Sequence, residues 1–186
     1  MKFMFISDIH GSFLDLQQAI KVFESEKADK LIILGDYLNH GPRNTLPEGY
    51  DTKQSASLLN EYKKKIIGIR GNCDSEVDQM MLEFPVLESS CRIFMDDISV
   101  YLHHGHKNTL EELSKFLPAK TVVLSGHTHI PKIQEENALI FVNPGSISIP
   151  KSEDGKCYGI LSVEEGKKSI EIKGLFDSLV KKCLLF

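Results

Sequence analysis

Short apolar runs alternate with longer segments in which apolar residues recur every three or four positions. The short runs predict strands, and the first three lie at residues 2–6, 30–34 and 66–69. The segments 13–26 and 52–64 have the spacing of amphipathic helices. Strands and helices that alternate in this way are typical of βαβ units, in which the strands run parallel.

The pattern changes after residue 75. A short helix is predicted over 75–82, with Ser75 as its N-cap, and another near 110–116. The remaining predicted strands lie at 92–95, 98–103, 121–124, 133–136, 139–142, 158–163 and 169–175. Alternating units followed by a strand-rich half predict an α/β protein with two sheets and with helices on their outer faces.

Composition restricts the class of protein further. A length of 186 residues with 41% hydrophobic content predicts one domain with a sizeable core. The net charge of −4 argues against a general surface for nucleic acids or anionic membranes. No apolar run reaches the roughly 18 residues that span a bilayer, and the apolar start is typical of a strand rather than of a signal peptide.

The four cysteines show no CxxC spacing. They are Cys73, Cys91, Cys157 and Cys183. This distribution disfavours a disulfide framework or a structural zinc ribbon, and it indicates a reducing compartment, the cytoplasm.

Potential metal ligands follow the ends of five predicted strands. They are Asp8, His10, Asp36, Asn72, His104, His127 and His129. In open α/β sheets, ligands bind beyond the carboxyl ends of the strands. Taken singly, Asp, Asn and His are ordinary turn residues, and the sequence Gly-His-Thr-His could be a turn with two solvated histidines. Their joint occurrence after five strands indicates a binding site.

Carboxylate, amide and imidazole donors suit Mn²⁺, Fe or Zn²⁺ better than Cu(I) or an iron–sulfur cluster. Seven donors are too many for one tetrahedral ion, but they suit two ions that share a carboxylate. Two metals roughly 3.5–4 Å apart clamp a phosphoryl group and generate hydroxide near neutral pH. The pattern therefore favours a dinuclear metal site.

Five blocks resemble, in order, the signature blocks of the calcineurin-like metallophosphoesterases: DIHG (8–11), GDYLNHGP (35–42), RGNCD (70–74), HHGH (103–106) and GHTH (126–129). The strings LNHGPRNTLPEGY, RGNCDSEVDQM and NPGSISIPK resemble the small bacterial phosphodiesterases of that family. The resemblance covers nearly the whole chain. It implies one metallophosphoesterase domain over residues 1–186, folded as a four-layer sandwich of two mixed β-sheets flanked by helices.

The resemblance also implies a metal-dependent phosphodiesterase with two divalent ions. Mn²⁺ is expected, with Fe, Zn²⁺ and Ni²⁺ as alternatives, and the substrate would be a small phosphate ester attacked by a hydroxide bridging the ions. The first ion would be bound by Asp8, His10 and His129, and the second by Asn72, His104 and His127, with Asp36 bridging them. His103 is expected to point away from the site.

Three residues are candidates for roles in catalysis. Many relatives have histidine after Gly-Asn, where this chain has Cys73; a thiol is a poor acid at neutral pH, and a small buried filler is an equally good interpretation. His106 is an alternative acid. Arg70 could bring charge to the phosphate or form a surface ion pair. Further candidates for substrate contact lie in the irregular loop 37–51: Asn39, His40 and Arg43.

Other functions stay open at this point. The same site could serve a phosphomonoesterase or nucleotide phosphatase. The fold also occurs as an interaction scaffold in a subunit of the retromer complex, which has lost part of the metal set, whereas here every ligand position holds a competent donor. The apolar tail LFDSLVKKCLLF could pack on a sheet or form a subunit contact, so a homodimer or higher homo-oligomer is a further hypothesis.

Overall fold

Strands and helices follow the order that the sequence predicts, in a computed structural model that describes residues 1–185. The strands are β1 (Lys2–Ile6), β2 (Lys30–Ile33), β3 (Ile66–Gly68), β4 (Ser90–Met95), β5 (Ile98–His103), β6 (Val122–Leu124), β7 (Pro131–Glu136), β8 (Leu139–Pro144), β9 (Cys157–Glu164), β10 (Lys167–Gly174) and β11 (Val180–Leu185). The helices are α1 (Phe13–Ser25), α2 (Thr52–Glu61), α3 (Glu76–Met81) and α4 (Leu110–Ser114).

The strands form two mixed sheets. The six-stranded sheet has the order β11-β10-β9-β1-β2-β3, and the five-stranded sheet has the order β4-β5-β6-β8-β7. In the first sheet β1, β2 and β3 run parallel, and in the second β5, β6 and β8 do. Because ligand-bearing loops leave the carboxyl ends of parallel strands, each sheet contributes one such edge.

The two sheets pack against each other, and helices cover their outer faces. In β1, Phe3 and Phe5 face the other sheet, whereas Met4 and Ile6 contact the core beneath α1 and α2. Both faces of the strand are buried, which explains why its sequence is continuously apolar. On the outer side of the five-stranded sheet, Leu113 of α4 packs in its own small core. The predicted four-layer arrangement of helices, two mixed sheets and helix is confirmed.

The structure corrects two details of the prediction. Helix α2 ends at Glu61 and not at residue 64, because the backbone N–H of Tyr62 donates to Leu59 in a tighter turn. The tail contains β11, which the sequence pattern left unassigned and which pairs antiparallel with β10. The tail therefore packs on the sheet, and Phe186 lies outside the described residues. Among the described helices, none is both long and apolar enough to cross a membrane.

Candidate metal centre

All seven predicted ligands meet at one place between the two sheets. Asp8 and His10 follow β1, Asp36 follows β2 and Asn72 follows β3, while the other three follow β5 and β6. The cluster contains two groups: Asp8, His10 and His129 in one, and Asn72, His104 and His127 in the other.

The first group surrounds the Asp8 carboxylate. Its Oδ1 lies 3.7 Å from Nε2 of His10 and 3.2 Å from Nε2 of His129. The two imidazole rings stack, with centroids 5.2 Å apart. Three ligand atoms, one from each residue, lie within 4.8 Å of one another, which is compact enough to bind a single cation.

Asp36 connects this group to the second. Its Oδ2 lies 3.6 Å from Nε2 of His10 and 3.5 Å from Nε2 of His104. Beyond His104, the Asn72 side-chain oxygen lies 3.1 Å from Nε2 of His104 and 2.7 Å from Nδ1 of His127. Asp36 therefore lies between the two groups of ligands and faces a histidine of each.

Backbone carbonyls orient three of the histidines. His10 Nδ1 donates to the backbone carbonyl of Asn39 at 2.8 Å, and His104 Nδ1 donates to the backbone carbonyl of Leu34 at 2.6 Å. His129 donates in the same way to the carbonyl of Ile149, at 2.7 Å. Because a carbonyl only accepts, each Nδ1 carries a proton and each Nε2 faces the carboxylate of Asp8 or Asp36, on the side where a metal would bind.

The backbone is strained at five of the seven ligands. Asp8, His10, Asp36, His127 and His129 have φ between 48° and 69°, in the left-handed region. Residues with side chains adopt this region at a cost on the order of 1 kcal/mol each, and such strain concentrates at functional sites. The backbone of these turns thus adopts a less favourable conformation that directs the side chains toward the centre.

The donor set fits a metal ion. Within the described residues, Oδ1 of Asp8 and Nε2 of His10 are buried atoms that make no hydrogen bond. Buried polar atoms in native proteins almost always have a partner, and a bound cation would serve both of these atoms. The same atoms belong to the compact group of ligand atoms around Asp8.

Electrostatics keeps the carboxylates charged. Burial opposes ionisation of Asp8, but contacts with His10 and His129 outweigh it, so its pKa lies below the usual range. Burial also opposes ionisation of Asp36, and His104 outweighs that effect and lowers the pKa. In turn, the carboxylates overcome the burial of His104 and raise its pKa to about 9. The two carboxylates are thus charged and paired with protonated His104, and a bound cation would take the place of that proton.

Asp74 is a residue of this centre to which the sequence analysis gave no role. Its carboxylate accepts hydrogen bonds from the backbone N–H groups of Asp36, Tyr37 and Gly71, at 2.8, 2.8 and 2.6 Å. A Cβ on Gly71 would lie 2.1 Å from Oδ1 of Asp36, so only glycine fits beside the carboxylate. Asp74 and Gly71 together fix the position of Asp36.

The three candidate catalytic residues lie in different surroundings. Sγ of Cys73 lies within 4.8 Å of ligand atoms of His10 and Asp36, and burial together with the Asp36 charge raises its pKa to about 12. His106 is exposed, with its ring centroid 5.4 Å from that of His104. Arg70 donates through Nε to the backbone oxygen of Asp74.

The guanidinium of Arg70 also approaches Glu76, at 3.8 Å, and it does not line the cavity over the metal ligands. His103 is buried on the outer side of β5, with its ring 5.8 Å from that of Tyr101. Burial lowers the pKa of His103 to about 4.

A cavity of about 700 Å³ opens over the ligands. Five of the seven ligands reach its floor, and its wall is formed by Asn39, residues 41–44, Cys73 and Lys151. The volume is in the range of small-molecule sites and exceeds what a phosphate group alone would fill. A substrate with a substituent on its phosphate therefore fits here.

The fold and the site together define a metal-dependent phosphoesterase. The chain belongs to the calcineurin-like phosphoesterase superfamily, whose family model matches residues 1–166.

The chain is similar to phosphodiesterase YfcE of Escherichia coli (strain K12), with 45% identity over 161 residues, which is 87% of each protein. The solved structure of YfcE, described as a phosphoesterase from E. coli, matches with a TM-score of 0.91 and 40% identity, over 99% of this chain and 98% of that one. The predictions of family, fold class and phosphate-ester hydrolysis are confirmed.

Vacuolar protein sorting 29 of Cryptosporidium parvum has a similar structure. Its TM-score is 0.70 at 16% identity, over 100% of this chain and 97% of that one. At this identity the likeness concerns the fold alone.

Proposed function

We propose that the protein is a metal-dependent phosphodiesterase that acts on small phosphate esters. The observation that carries this proposal is the position of Asp36, whose Oδ2 faces ligands of both groups at 3.6 and 3.5 Å. The identity of 45% to a phosphodiesterase supports the same activity. We assign a diester rather than a monoester because the cavity has room for a substituent beyond the reacting phosphate.

Two divalent cations, held by the seven ligands, would neutralise charge on the phosphate and lower the pKa of bound water. We propose Mn²⁺ for both positions, since the ligands include carboxylate and amide oxygens, with Fe, Zn²⁺ and Ni²⁺ as alternatives. Asp36 holds the two groups of ligands in register, and the carbonyls of Asn39, Leu34 and Ile149 keep Nε2 of three histidines directed inward.

The departing oxygen of a diester needs a proton unless its alcohol is strongly acidic. We assign this role to His106 rather than to Cys73. The raised pKa of the Cys73 thiol makes it a weak acid, whereas His106 has an imidazole, the usual proton donor near neutral pH, and its ring lies beside those of His104 and His127, with centroids 5.4 and 6.0 Å away. Arg70 acts through Asp74 in this proposal, since its Nε binds the Asp74 backbone.

We also propose a cytoplasmic protein and a homo-oligomer. Support for the compartment comes from the four cysteines, which are free thiols. Support for a subunit contact comes from apolar side chains near the start of β11, because Phe176, Leu179 and Val180 are each more than half exposed. Sedimentation of the purified protein tests the oligomer.

The activity is tested on protein stripped of metal with a chelator and reloaded separately with Mn²⁺, Fe²⁺, Zn²⁺ or Ni²⁺. We expect hydrolysis of bis(p-nitrophenyl) phosphate, faster than that of p-nitrophenyl phosphate, and no turnover in the chelated control. Faster hydrolysis of the monoester would instead indicate a phosphomonoesterase. Metal binding without turnover of either ester would contradict an enzyme and indicate a scaffold.

A further inference from the structure

Two cationic side chains line the cavity on the side of the first group of ligands. Arg43 and Lys151 are both exposed there, and neither forms an ion pair within the described part of the chain. Among the residues that the structure describes, Asp36 is the only acidic side chain that lines the cavity, and it already faces His10 and His104. The wall of the cavity therefore carries two positive charges with no protein partner.

Lys151 is fixed to the metal ligand His129. The backbone N–H of Lys151 donates to the carbonyl of His129 at 3.0 Å, and His129 Nδ1 donates to Ile149 at 2.7 Å. These two hydrogen bonds join the segment 149–151 to both the backbone and the ring of one ligand. The backbone of Lys151 is consequently held at a fixed position beside the metal centre, and its side chain extends from there.

Arg43 is fixed in a similar way to the other stacked ligand, His10. The Asn39 carbonyl accepts from His10 Nδ1, and its side-chain oxygen accepts from the backbone N–H of Gly41 at 2.8 Å. The backbone N–H of Asn44 donates to Gly41 at 3.2 Å, which closes a turn over residues 41–44. Proline stands at the second position of this turn, where its fixed φ is favoured, and Arg43 follows at the tip.

The chemistry of the wall indicates what it binds. A diester phosphate has one negative charge, which two divalent cations would more than neutralise, so the reacting group does not account for Arg43 and Lys151. Among the described residues, no Phe, Tyr, Leu, Ile or Val side chain lines the cavity, so the wall has no apolar platform for an aryl group. Paired cations in a polar pocket are typical of recognition of anionic groups.

On the basis of the proposed phosphodiesterase function, we infer that Arg43 and Lys151 bind a second acidic group on the substrate. The substrate class is therefore a phosphodiester whose retained alcohol carries a carboxylate or another phosphate. Neutral diesters fill the same cavity without engaging the two cations, and they are poorer substrates.

The test uses three p-nitrophenyl phosphodiesters that share the reacting phosphorus and the leaving group. Their second alcohols form an ethyl, a carboxymethyl or a 2-phosphoethyl ester, so one arm reports a carboxylate and another a phosphate. For the Mn²⁺-loaded protein we expect kcat/KM at least about tenfold higher for one or both acidic esters than for the ethyl ester, the effect of a hydrogen bond between charged groups.

Single substitutions identify the residues responsible. Lys151→Met and Arg43→Met should each reduce the preference for the acidic ester to below about threefold, because each removes one of two cooperating charges. The matched control is Lys64→Met. Lys64 is exposed and precedes β3, at the opposite end of that strand from Asn72, so this variant should keep the full preference with the same change in net charge.

The outcomes separate the inference from the function on which it rests. Equal kcat/KM for all three esters would overturn the second acidic group and leave the phosphodiesterase in place. A preference that persists in both cavity variants would overturn the assignment to Arg43 and Lys151. Hydrolysis of none of the esters would overturn the phosphodiesterase proposal and this inference together.

Discussion

The carboxylate of Asp74 accepts a hydrogen bond from the backbone N–H of Asp36, with 2.8 Å between the two heavy atoms. Buried Asp74 thereby fixes the backbone of Asp36, which is also buried, at the point where the two groups of ligands meet. Burial and the nearby Asp36 charge raise the pKa of Asp74 to about 6, so the contact is made at an electrostatic cost. This cost indicates that the fold keeps Asp36 in position even though the ionised form of Asp74 is destabilised.

The substitution Asp74→Asn should weaken the metal centre. An amide has one oxygen to accept the hydrogen bonds that two carboxylate oxygens now accept from Asp36, Tyr37 and Gly71. We expect Mn²⁺ affinity to fall about 10- to 100-fold, as for other residues that support metal ligands. Calorimetric titration measures this, and Asp78→Asn is the control, since the Asp78 carboxylate accepts hydrogen bonds from Ser75 at the start of α3. Equal affinities in the two variants would contradict the role of Asp74.

Removal of the shared carboxylate should abolish hydrolysis. Asp36→Asn keeps the shape of the side chain but removes the charge that faces His10 and His104. We expect the rate on an aryl phosphodiester to fall by at least about 100-fold and bound metal, measured by mass spectrometry, to decrease. Asp15→Asn is the matched control, because Asp15 is a buried acid bonded to Ser12 and Lys156. Retained metal and near-normal turnover in Asp36→Asn would refute the dinuclear site.

The close approach of Gly126 to Asp8 gives a steric test. A Cβ on Gly126 would lie 1.9 Å from Oγ of Ser7 and 2.9 Å from Oδ2 of Asp8. Gly126→Ala should therefore displace Asp8, reduce metal content and lower the free energy of unfolding by about 1–3 kcal/mol. At Gly155, with φ +74° and no atom within 4 Å of a Cβ, alanine should cost about 1 kcal/mol through backbone strain alone and keep activity. Full activity in Gly126→Ala would show that Asp8 tolerates the displacement.

The leaving group reports on His106. If this imidazole protonates the departing oxygen, His106→Asn should slow hydrolysis of an alkyl diester by about 100-fold or more. A p-nitrophenyl ester, whose leaving group departs without a proton, should lose far less. Rates on the two esters, each relative to the unmodified protein, give the comparison. Equal losses on both would assign His106 to positioning and not to proton transfer.

Glu26, which pairs with Lys2 at the opposite end of β1 from Asp8, makes the stability of the fold depend on pH. Burial opposes its charge, but Lys173 at 2.9 Å, Tyr158 and Lys2 outweigh burial and lower its pKa below the ordinary 4.5. The folded protein thus binds fewer protons than the unfolded chain near pH 4. The resulting stabilisation is present above pH 4.5 and is lost as the pH falls through the folded value.

Accordingly, Glu26→Gln should lower the free energy of unfolding at pH 7 by about 1 kcal/mol or less. At pH 3 the difference between the two proteins should shrink, because the wild-type carboxyl is then protonated more fully. Urea unfolding of both metal-free proteins at the two pH values measures this. A difference that does not change with pH would mean that Glu26 acts through packing alone.

Much of the fold is evident in the sequence because both faces of the central strands are buried. The apolar run of β1 predicts its strand to the residue, and the alternation of strands and helices predicts the parallel pairing of β1, β2 and β3. The strand β11 is different. Its sequence, Val180–Leu185, has two lysines in its first half and gains its strand character from pairing with β10. Local pattern does not contain that long-range information.

The convergence of the predicted metal ligands is evident for a related reason. Each candidate ligand follows an apolar strand, beside a glycine that allows the chain to turn, and the sequence motifs contain the ligand and the glycine together. Lys151 escapes sequence reasoning because its place depends on a hydrogen bond to His129, 22 positions earlier in the chain. Asp74 stands within a recognised block, but its role follows from backbone groups of Asp36 and Tyr37, which no spacing rule reveals. The sequence thus predicts which side chains converge better than it predicts what holds them in place.

The pairing of β1 with β9 has a consequence for synthesis of the protein. Phe3 lies opposite Leu161, so β1 leaves the ribosome long before the strand that covers its edge. Asp8 and His10 likewise emerge long before His129. A nascent chain that meets metal ions early would offer them only some of the seven ligands. We therefore expect metal binding to be a late step of folding, after most of the polypeptide has been made.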